Sequence, residues 1–281
     1  MKIDKKIKLN NGVEIDRIGL GCWECRGEIA VNAIRDAAAA GYRRIDTAAY
    51  YKNEAEVGEG IRKCGIDRSE LFIASKIWYT DMCEGRQEET FYKSLETLGL
   101  DYIDMYFLHW PIGEVTASWR MLERLYEAGK IRTISVCNFQ PNHLARLLAK
   151  ANIPPAVNQI ESNPCFAQNE AVEFCLKEGI VPEAWGPLGK GRDLVLPLFT
   201  ELAQKYQKTP AQIILRWHLQ RGLVVIPKSI HKERMAENLD VFDFELEAQD
   251  MDAICALESG VSKRGYPSEY RFDTVSENTE F

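Results

Sequence analysis

The sequence predicts an α/β protein: a closed parallel (β/α)8 barrel, or TIM barrel, preceded by a β-hairpin. Three observations predict it. Short apolar segments alternate with segments of helical periodicity eight times along the 281 residues, and eight such units favour a closed barrel over an open doubly wound sheet. No G-x-G-x-x-G follows any of these apolar segments, which argues against a Rossmann site. Reactive side chains also collect just after the predicted strands, at the end where a barrel places its chemistry.

Taken in order, Lys6 to Ile15 alternates around Asn11-Gly12, the strongest short signal for a hairpin. A first barrel strand over 17–20 ends at Gly21-Cys22-Trp23. The helix over 28–40 places Ile29, Ala33 and Ala37 on one face and stops at Gly41. Further strands are predicted at 42–46, 71–75, 103–109, 131–136, 157–160, 180–184 and 223–226. Helices fill the intervals at 53–63, 87–98, 118–128, 141–150, 168–178, 210–220 and 232–239, with additional helices at 195–206 and 247–257. The stretch 258–281 is rich in Gly, Pro and charge and reads as a tail or covering loop. No linker or low-complexity segment divides the chain. Residues 1–281 therefore read as one domain: hairpin 6–15, barrel 17–257 and tail 258–281.

Composition narrows the function. Hydrophobic content of 46% and charged content of 27% suit a soluble globular protein with a full core. A net charge of −7 speaks against sequence-independent nucleic-acid binding, which needs clustered Lys and Arg, but leaves room for one local basic pocket. There is no run of 18 apolar residues, and the N-terminus alternates instead of presenting a signal peptide. No membrane partner and a cytoplasmic location are expected. The eight cysteines are irregularly spaced and too few for a disulfide scaffold. Cys22 and Cys25 form a lone C-x-x-C without the second pair, or the matching His, that zinc would need. No metal is expected, and two small buried hydrophobes are favoured over a redox pair.

The stretch 41–60 organises the rest. Its strand ends in Asp46, a short polar loop carries Tyr50 and Tyr51, and a helix starts near Asn53. Lys76 follows the third predicted strand, and His109-Trp110-Pro111 follows the fourth. Singly, these read as a turn cap, a surface tyrosine, a solvated lysine and a core histidine. Together they put an acid, an amine and an imidazole at one end of three neighbouring strands.

Residues 41–58, Gly-Tyr-Arg-Arg-Ile-Asp-Thr-Ala-Ala-Tyr-Tyr-Lys-Asn-Glu-Ala-Glu-Val-Gly, resemble the aldo-keto reductase signature. That pattern is roughly Gly-Tyr/Phe-Arg-x-Ile-Asp-Thr-Ala-x-x-Tyr-x-Asn-Glu-x-x-Val-Gly, and every fixed position is present. The resemblance runs from the Gly-Leu-Gly near residue 19 to about residue 272. It implies a catalytic set of Asp46, Tyr51, Lys76 and His109. Reducing a carbonyl needs a hydride on carbon and a proton on oxygen. A phenol of pKa about 10 is a weak acid, and an adjacent ammonium stabilises its phenolate. By resemblance, Lys76, ion-paired to Asp46, lowers the pKa of Tyr51, and His109 orients the carbonyl oxygen. Tyr51 is then general acid in reduction and general base in the reverse direction.

No side chain supplies a hydride, and the resemblance implies NADPH. Gln159 in Val-Asn-Gln-Ile-Glu matches the residue that binds the carboxamide. Asn138 matches in Ser-Val-Cys-Asn-Phe, where Cys137 replaces a serine and offers only a weak donor. In Ala-Trp-Gly-Pro-Leu-Gly (184–189), Trp185 replaces the usual tyrosine and still offers a face to the nicotinamide, Gly186 lacks a hydroxyl, and Leu188 is kept. Asn163 replaces the more usual histidine. The basic turn and helix start at 226–238 form a natural anion site. There the resemblance implies that Lys228, Ser229 and Arg234 hold the 2′-phosphate and that Glu237 and Asn238 meet the adenine, hence NADPH over NADH.

On the substrate side, Trp119 and Trp217 fall inside helices and read as core. Trp23, Trp78 and Trp110, with Tyr50, read as an aromatic pocket for small, fairly apolar carbonyl compounds. The short interval 111–119 and short tail imply an open pocket. The chain most resembles compact bacterial members, some of which reduce diketo-sugar acids, methylglyoxal or other small aldehydes, and a monomer is the family default. Two alternatives stand beside this reading. One is an NADP-binding redox sensor or regulatory barrel. The other is an unrelated phosphosugar barrel with its phosphate site after strands seven and eight.

Overall fold

Strand alternation sorts the barrel's side chains into two layers. The computed structural model describes residues 3–259 and 262; the predicted tail falls almost wholly outside them. Strands β1 (Lys6–Lys8) and β2 (Glu14–Asp16) form the antiparallel hairpin. Its reversal is wider than a two-residue turn. Leu9 N donates to Val13 O at 2.8 Å, Gly12 N donates to Leu9 O at 2.9 Å, and Gly12 takes the left-handed φ of 87° that a glycine tolerates.

The barrel strands are β3 (Leu20–Gly21), β4 (Arg44–Asp46), β5 (Phe72–Ile77), β6 (Met105–Leu108), β7 (Ile134–Cys137), β8 (Val157–Glu161), β9 (Val181–Trp185) and β10 (Val224–Val225). They are parallel and adjacent in chain order. A parallel bridge from Ile18 to Val225 joins first to last and closes the barrel. At that seam Gly21 is needed, because a Cβ there would stand 2.8 Å from Ile226 O. The strands predicted at 17–20, 103–109 and 131–136 are shorter than expected, with Ile18, Ile103 and Ile131 contributing isolated bridges instead.

Ile45, Ile73, Leu108, Val136, Ile160 and Val225 point outward into a core shared with the helices. Phe72, Ala74, Met105, Phe107, Val157, Val181 and Val224 fill a second core, where Leu9 and Ile15 of the hairpin join them. The hairpin therefore plugs the N-terminal end of the barrel, and the opposite end carries the strand termini with the candidate chemistry.

Helices α1 (Gly27–Ala40), α2 (Glu54–Lys63), α3 (Tyr79–Cys83), α4 (Gln87–Leu98), α5 (Val115–Glu127), α6 (Pro141–Leu148), α7 (Asn169–Lys177), α8 (Pro197–Tyr206), α9 (Pro210–Gln220), α10 (Lys232–Leu239) and α11 (Ala248–Cys255) surround the strands. The short α3 was not anticipated. In α1, Ala33 and Ala37 are buried, but Ile29 is 58% exposed. Each step of four residues overshoots a full turn by about 40°, so two steps carry Ile29 off the apolar stripe.

Gly58 and Gly60 let α2 lie close to its neighbours. A Cβ on Gly58 would fall 2.2 Å from Leu98 O at the end of α4, and one on Gly60 would fall 2.9 Å from Ile34 of α1. Gly58→Ala is expected to destabilise the fold by about 1–3 kcal/mol through overpacking, seen as a lower midpoint of urea denaturation.

Candidate active site

Asp46 ends β4, and Lys76 lies on the adjacent β5, both pointing to the barrel axis. Lys76 has no solvent exposure. Its ammonium donates to Asp46 Oδ1 at 2.5 Å and to Thr47 O at 2.8 Å. Burial pushes the Lys76 pKa down, but Asp46 and neighbouring groups overcome this, and it ends above its ordinary value. The lysine is therefore a permanent cation.

Tyr51 closes a 3-10 turn over Ala49–Tyr51, and Lys52 follows in the left-handed region. Asn53 anchors this loop. Its Nδ2 donates to Cys22 O and Cys25 O, both at 2.8 Å, and its Oδ1 accepts from Thr47 Oγ1 at 2.7 Å. The loop bearing Trp23 is thereby tied to the loop bearing Tyr51. Glu54 accepts from Ser75 Oγ at 2.5 Å and Ser94 Oγ at 3.2 Å, fixing α2 to β5 and α4. Cys22 and Cys25 are free thiols, both buried.

Lys76 Nζ lies 5.2 Å from the Tyr51 ring centre. Burial raises the Tyr51 pKa above its ordinary value, opposed by the charge and hydrogen bond of Lys76. The net direction is opposite to the sequence expectation. The ammonium does favour the phenolate, but desolvation at the cleft floor outweighs it. Tyr51 is thus fully protonated at neutral pH.

His109 follows β6 and is 8% exposed. Burial, then the Lys76 charge, hold its imidazole well below the ordinary value, so it is neutral. Asn138, at a φ of 63°, donates from Nδ2 to His109 O at 3.0 Å and accepts at Oδ1 from Trp185 Nε1 at 2.9 Å. The indole that replaces the family tyrosine is therefore held by the neighbouring Asn138. Tyr50 stacks between Trp23 and Trp78, with ring centres 5.9 and 3.8 Å away. Trp78 meets the His109 ring edge-on at 5.0 Å.

These groups line a cleft of about 630 Å³ that includes Trp23, Asp46, Tyr50, Tyr51, Trp78, His109, Trp110, Asn138, Gln159 and Trp185. A second cleft of about 590 Å³ is lined by Leu188, Lys228, Ser229, Arg234, Glu237 and Asn238. Trp23, Gly186, Lys190 and Lys228 border both, so the two form one elongated groove.

A dinucleotide phosphate fits what the residues offer. Neither Lys228 nor Arg234 makes an ion pair among the described residues, and both are exposed beside the start of α10. Ser229 Oγ bonds the His231 backbone, and Glu237 accepts from Thr209 Oγ1 at 2.6 Å, so both are already held in place. Cys137 is fully buried, its thiol 3.8 Å from Gln159 Oε1. Trp119 and Trp217 are core residues. Asn163 is buried and pairs with the Phe166 backbone.

Sequence reasoning missed four charged residues here. Lys190 and Arg192 border the first cleft, and the run Gly-Lys-Gly-Arg at 189–192, in the loop after β9, was the available signal. Arg44 and Glu183 form a buried ion pair inside the barrel, and no local pattern announces a pair 139 residues apart. Among the described residues, no group of three His, Cys, Asp or Glu could hold a metal ion.

A phenol, a fixed cation and a neutral imidazole on the floor of a long groove form a site that can protonate and orient one oxygen. Residues 17–259 match the Aldo/keto reductase family, and the chain belongs to that family. It is 48% identical over 268 residues to glyoxal reductase of Bacillus subtilis (strain 168), covering 95% of this chain and 97% of that protein. It is 42% identical over 259 residues to methylglyoxal reductase DkgA of Escherichia coli (strain K12), covering 90% and 94%. The crystal structure of a Bombyx mori aldo-keto reductase in complex with NADP matches it with a TM-score of 0.87 at 34% identity, covering 93% of this chain and 95% of that one.

An unfolded histidine takes up a proton near pH 6.5 that folded His109 resists, so this residue's contribution to stability declines below about pH 6.5. In nitrogen-15 NMR, the His109 ring is expected to keep its neutral signature as the pH falls through about 6.5, where a free imidazole is half protonated. A midpoint near 6.5 would show an ordinary, solvated imidazole.

Proposed function

We propose that this aldo-keto reductase reduces small aldehydes and ketones with NADPH, with Tyr51 as general acid. The observation that carries the reading is the dry Lys76–Asp46 pair set against the Tyr51 ring on the cleft floor. NADPH bound in the groove supplies the hydride. His109, neutral, donates a hydrogen bond to the carbonyl oxygen and orients it. The Tyr51 hydroxyl gives its proton to that oxygen as negative charge develops there. Lys76 then stabilises the phenolate left behind, and Asp46 holds Lys76 in place. In the reverse direction Tyr51 takes the proton back. Lys228 and Arg234 hold the 2′-phosphate at the far end of the groove, with Ser229, Glu237 and Asn238 beside them.

The aromatic wall of Trp23, Tyr50, Trp78 and Trp110 suits small, flat, weakly polar carbonyl compounds. Similarity to the glyoxal and methylglyoxal reductases supports short dicarbonyls among them. A substrate panel followed by loss of NADPH absorbance tests this. NADPH binding without turnover on any aldehyde or dicarbonyl would favour the sensor reading instead.

Tyr51→Phe is expected to bind NADPH normally and to lose about 10²–10⁴-fold in turnover; a near-normal rate removes Tyr51 from the mechanism. Arg234→Ala is expected to weaken NADPH by about tenfold or more, the loss of one charge-assisted contact, with little change for NADH. Equal weakening of both by fluorescence titration places the phosphate elsewhere.

A further inference from the structure

Beneath the cleft floor, the barrel encloses charges that the steps above do not use. Arg44 and Asp46 are two residues apart on β4 and share its inner face. Glu183 on β9 is the register partner of Gln159 on β8. The Arg44 guanidinium donates to Glu183 Oε2, and its other terminal nitrogen donates to Val225 O at 3.1 Å. Gln159 Nε2 donates to Glu183 Oε1 at 2.7 Å and to Asp46 Oδ2 at 2.9 Å. Asp46 Oδ1 accepts from Lys76. None of the five residues is more than 2% exposed. Gly19 makes the room, since a Cβ there would stand 2.8 Å from Arg44 Nε.

An amide has a donor end and an acceptor end. Both N–H groups of Gln159 are taken by carboxylates, which only accept. Turning the amide over would aim its oxygen at two anions, so the oxygen, which takes only a weak thiol bond from Cys137 at 3.8 Å, is left to accept from the cleft that Gln159 lines. Asp46 has Lys76 as its counter-charge, and Glu183 has Arg44. Without Glu183, one N–H loses its acceptor and the amide is free to present a donor to the cleft.

We propose that Arg44 and Glu183 are positioning residues that hold Gln159 as a pure acceptor and so select a cofactor carrying an N–H at that point. This rests on the NADPH reading, in which Gln159 meets the carboxamide. A ketone in place of the carboxamide offers no N–H and leaves the Gln159 oxygen with only the weak Cys137 thiol, 3.8 Å away, as donor.

The test is tryptophan-fluorescence titration of the full chain with NADP+ and with 3-acetylpyridine adenine dinucleotide phosphate. The native protein is expected to bind the acetylpyridine analogue about tenfold more weakly, one buried hydrogen bond left unmade. Glu183→Gln, whose side-chain oxygen still accepts from Gln159, retains that ratio. The double variant Arg44→Leu/Glu183→Leu removes both charges together, so neither is stranded, and is expected to bind NADP+ with a ratio near one. A native ratio near one, or an unchanged ratio in the folded double variant, overturns the inference while leaving the cofactor reading intact. Native protein that binds no NADP+ overturns both. A measurement without substitution stands beside these: both Gln159 side-chain amide protons should exchange slowly with solvent, with and without NADP+. Fast exchange of either one overturns the proposal.

Discussion

An ammonium with no solvent contact is tolerable in a protein only beside a carboxylate. Moving one such ion out of water costs several kcal/mol even after relaxation. Lys76 meets that condition with Asp46 and the Thr47 carbonyl. The pair adds little net stability, because desolvation offsets most of the attraction. What it contributes is a fixed positive charge at one place on the cleft floor. The register of β4 against β5 sets that place, and the Tyr51 loop is built around it.

The stretch from Gly41 to Gly58 divides into two kinds of residue. Asp46 and Tyr51 face the cleft. Thr47, Asn53, Glu54 and Gly58 face the rest of the fold. Asn53 and Thr47 tie two loops together, Glu54 joins α2 to β5 and α4, and Gly58 admits the Leu98 carbonyl. Asp46 is therefore fixed by its strand, and Tyr51 sits on a loop whose position is set three times over by polar bonds and close packing. Such support keeps a catalytic geometry from drifting.

Much of this was legible in the chain itself. Eight alternations of short apolar strand and amphipathic helix pointed to a barrel, because each periodicity reports which faces are covered. The cleft residues were legible because they directly follow strands or stand in long motifs. The misses have physical causes. Arg44 sits at the motif's one free position within Arg-x-Ile-Asp, and its meaning appears only when closure brings β9 beside it. Ile29 looked like part of a stripe because apolar spacing does not reveal where a helix rotates away from the core. The direction of the Tyr51 shift was misread because the sequence shows its neighbours but not the depth of the site. Burial is a property of the whole fold, and here it outweighs the nearest charge.

The hairpin plug bears on how the proposed acid is recharged. Leu9 and Ile15 pack into the inner apolar core at one end of the barrel, leaving the Tyr51 phenol to meet solvent from the other. In the proposed mechanism, the proton that Tyr51 gives up is replaced through the same opening that admits the reactant and releases the alcohol. On that proposal, an alcohol still in the cleft stands between solvent and the phenol, so its departure precedes the return of the proton.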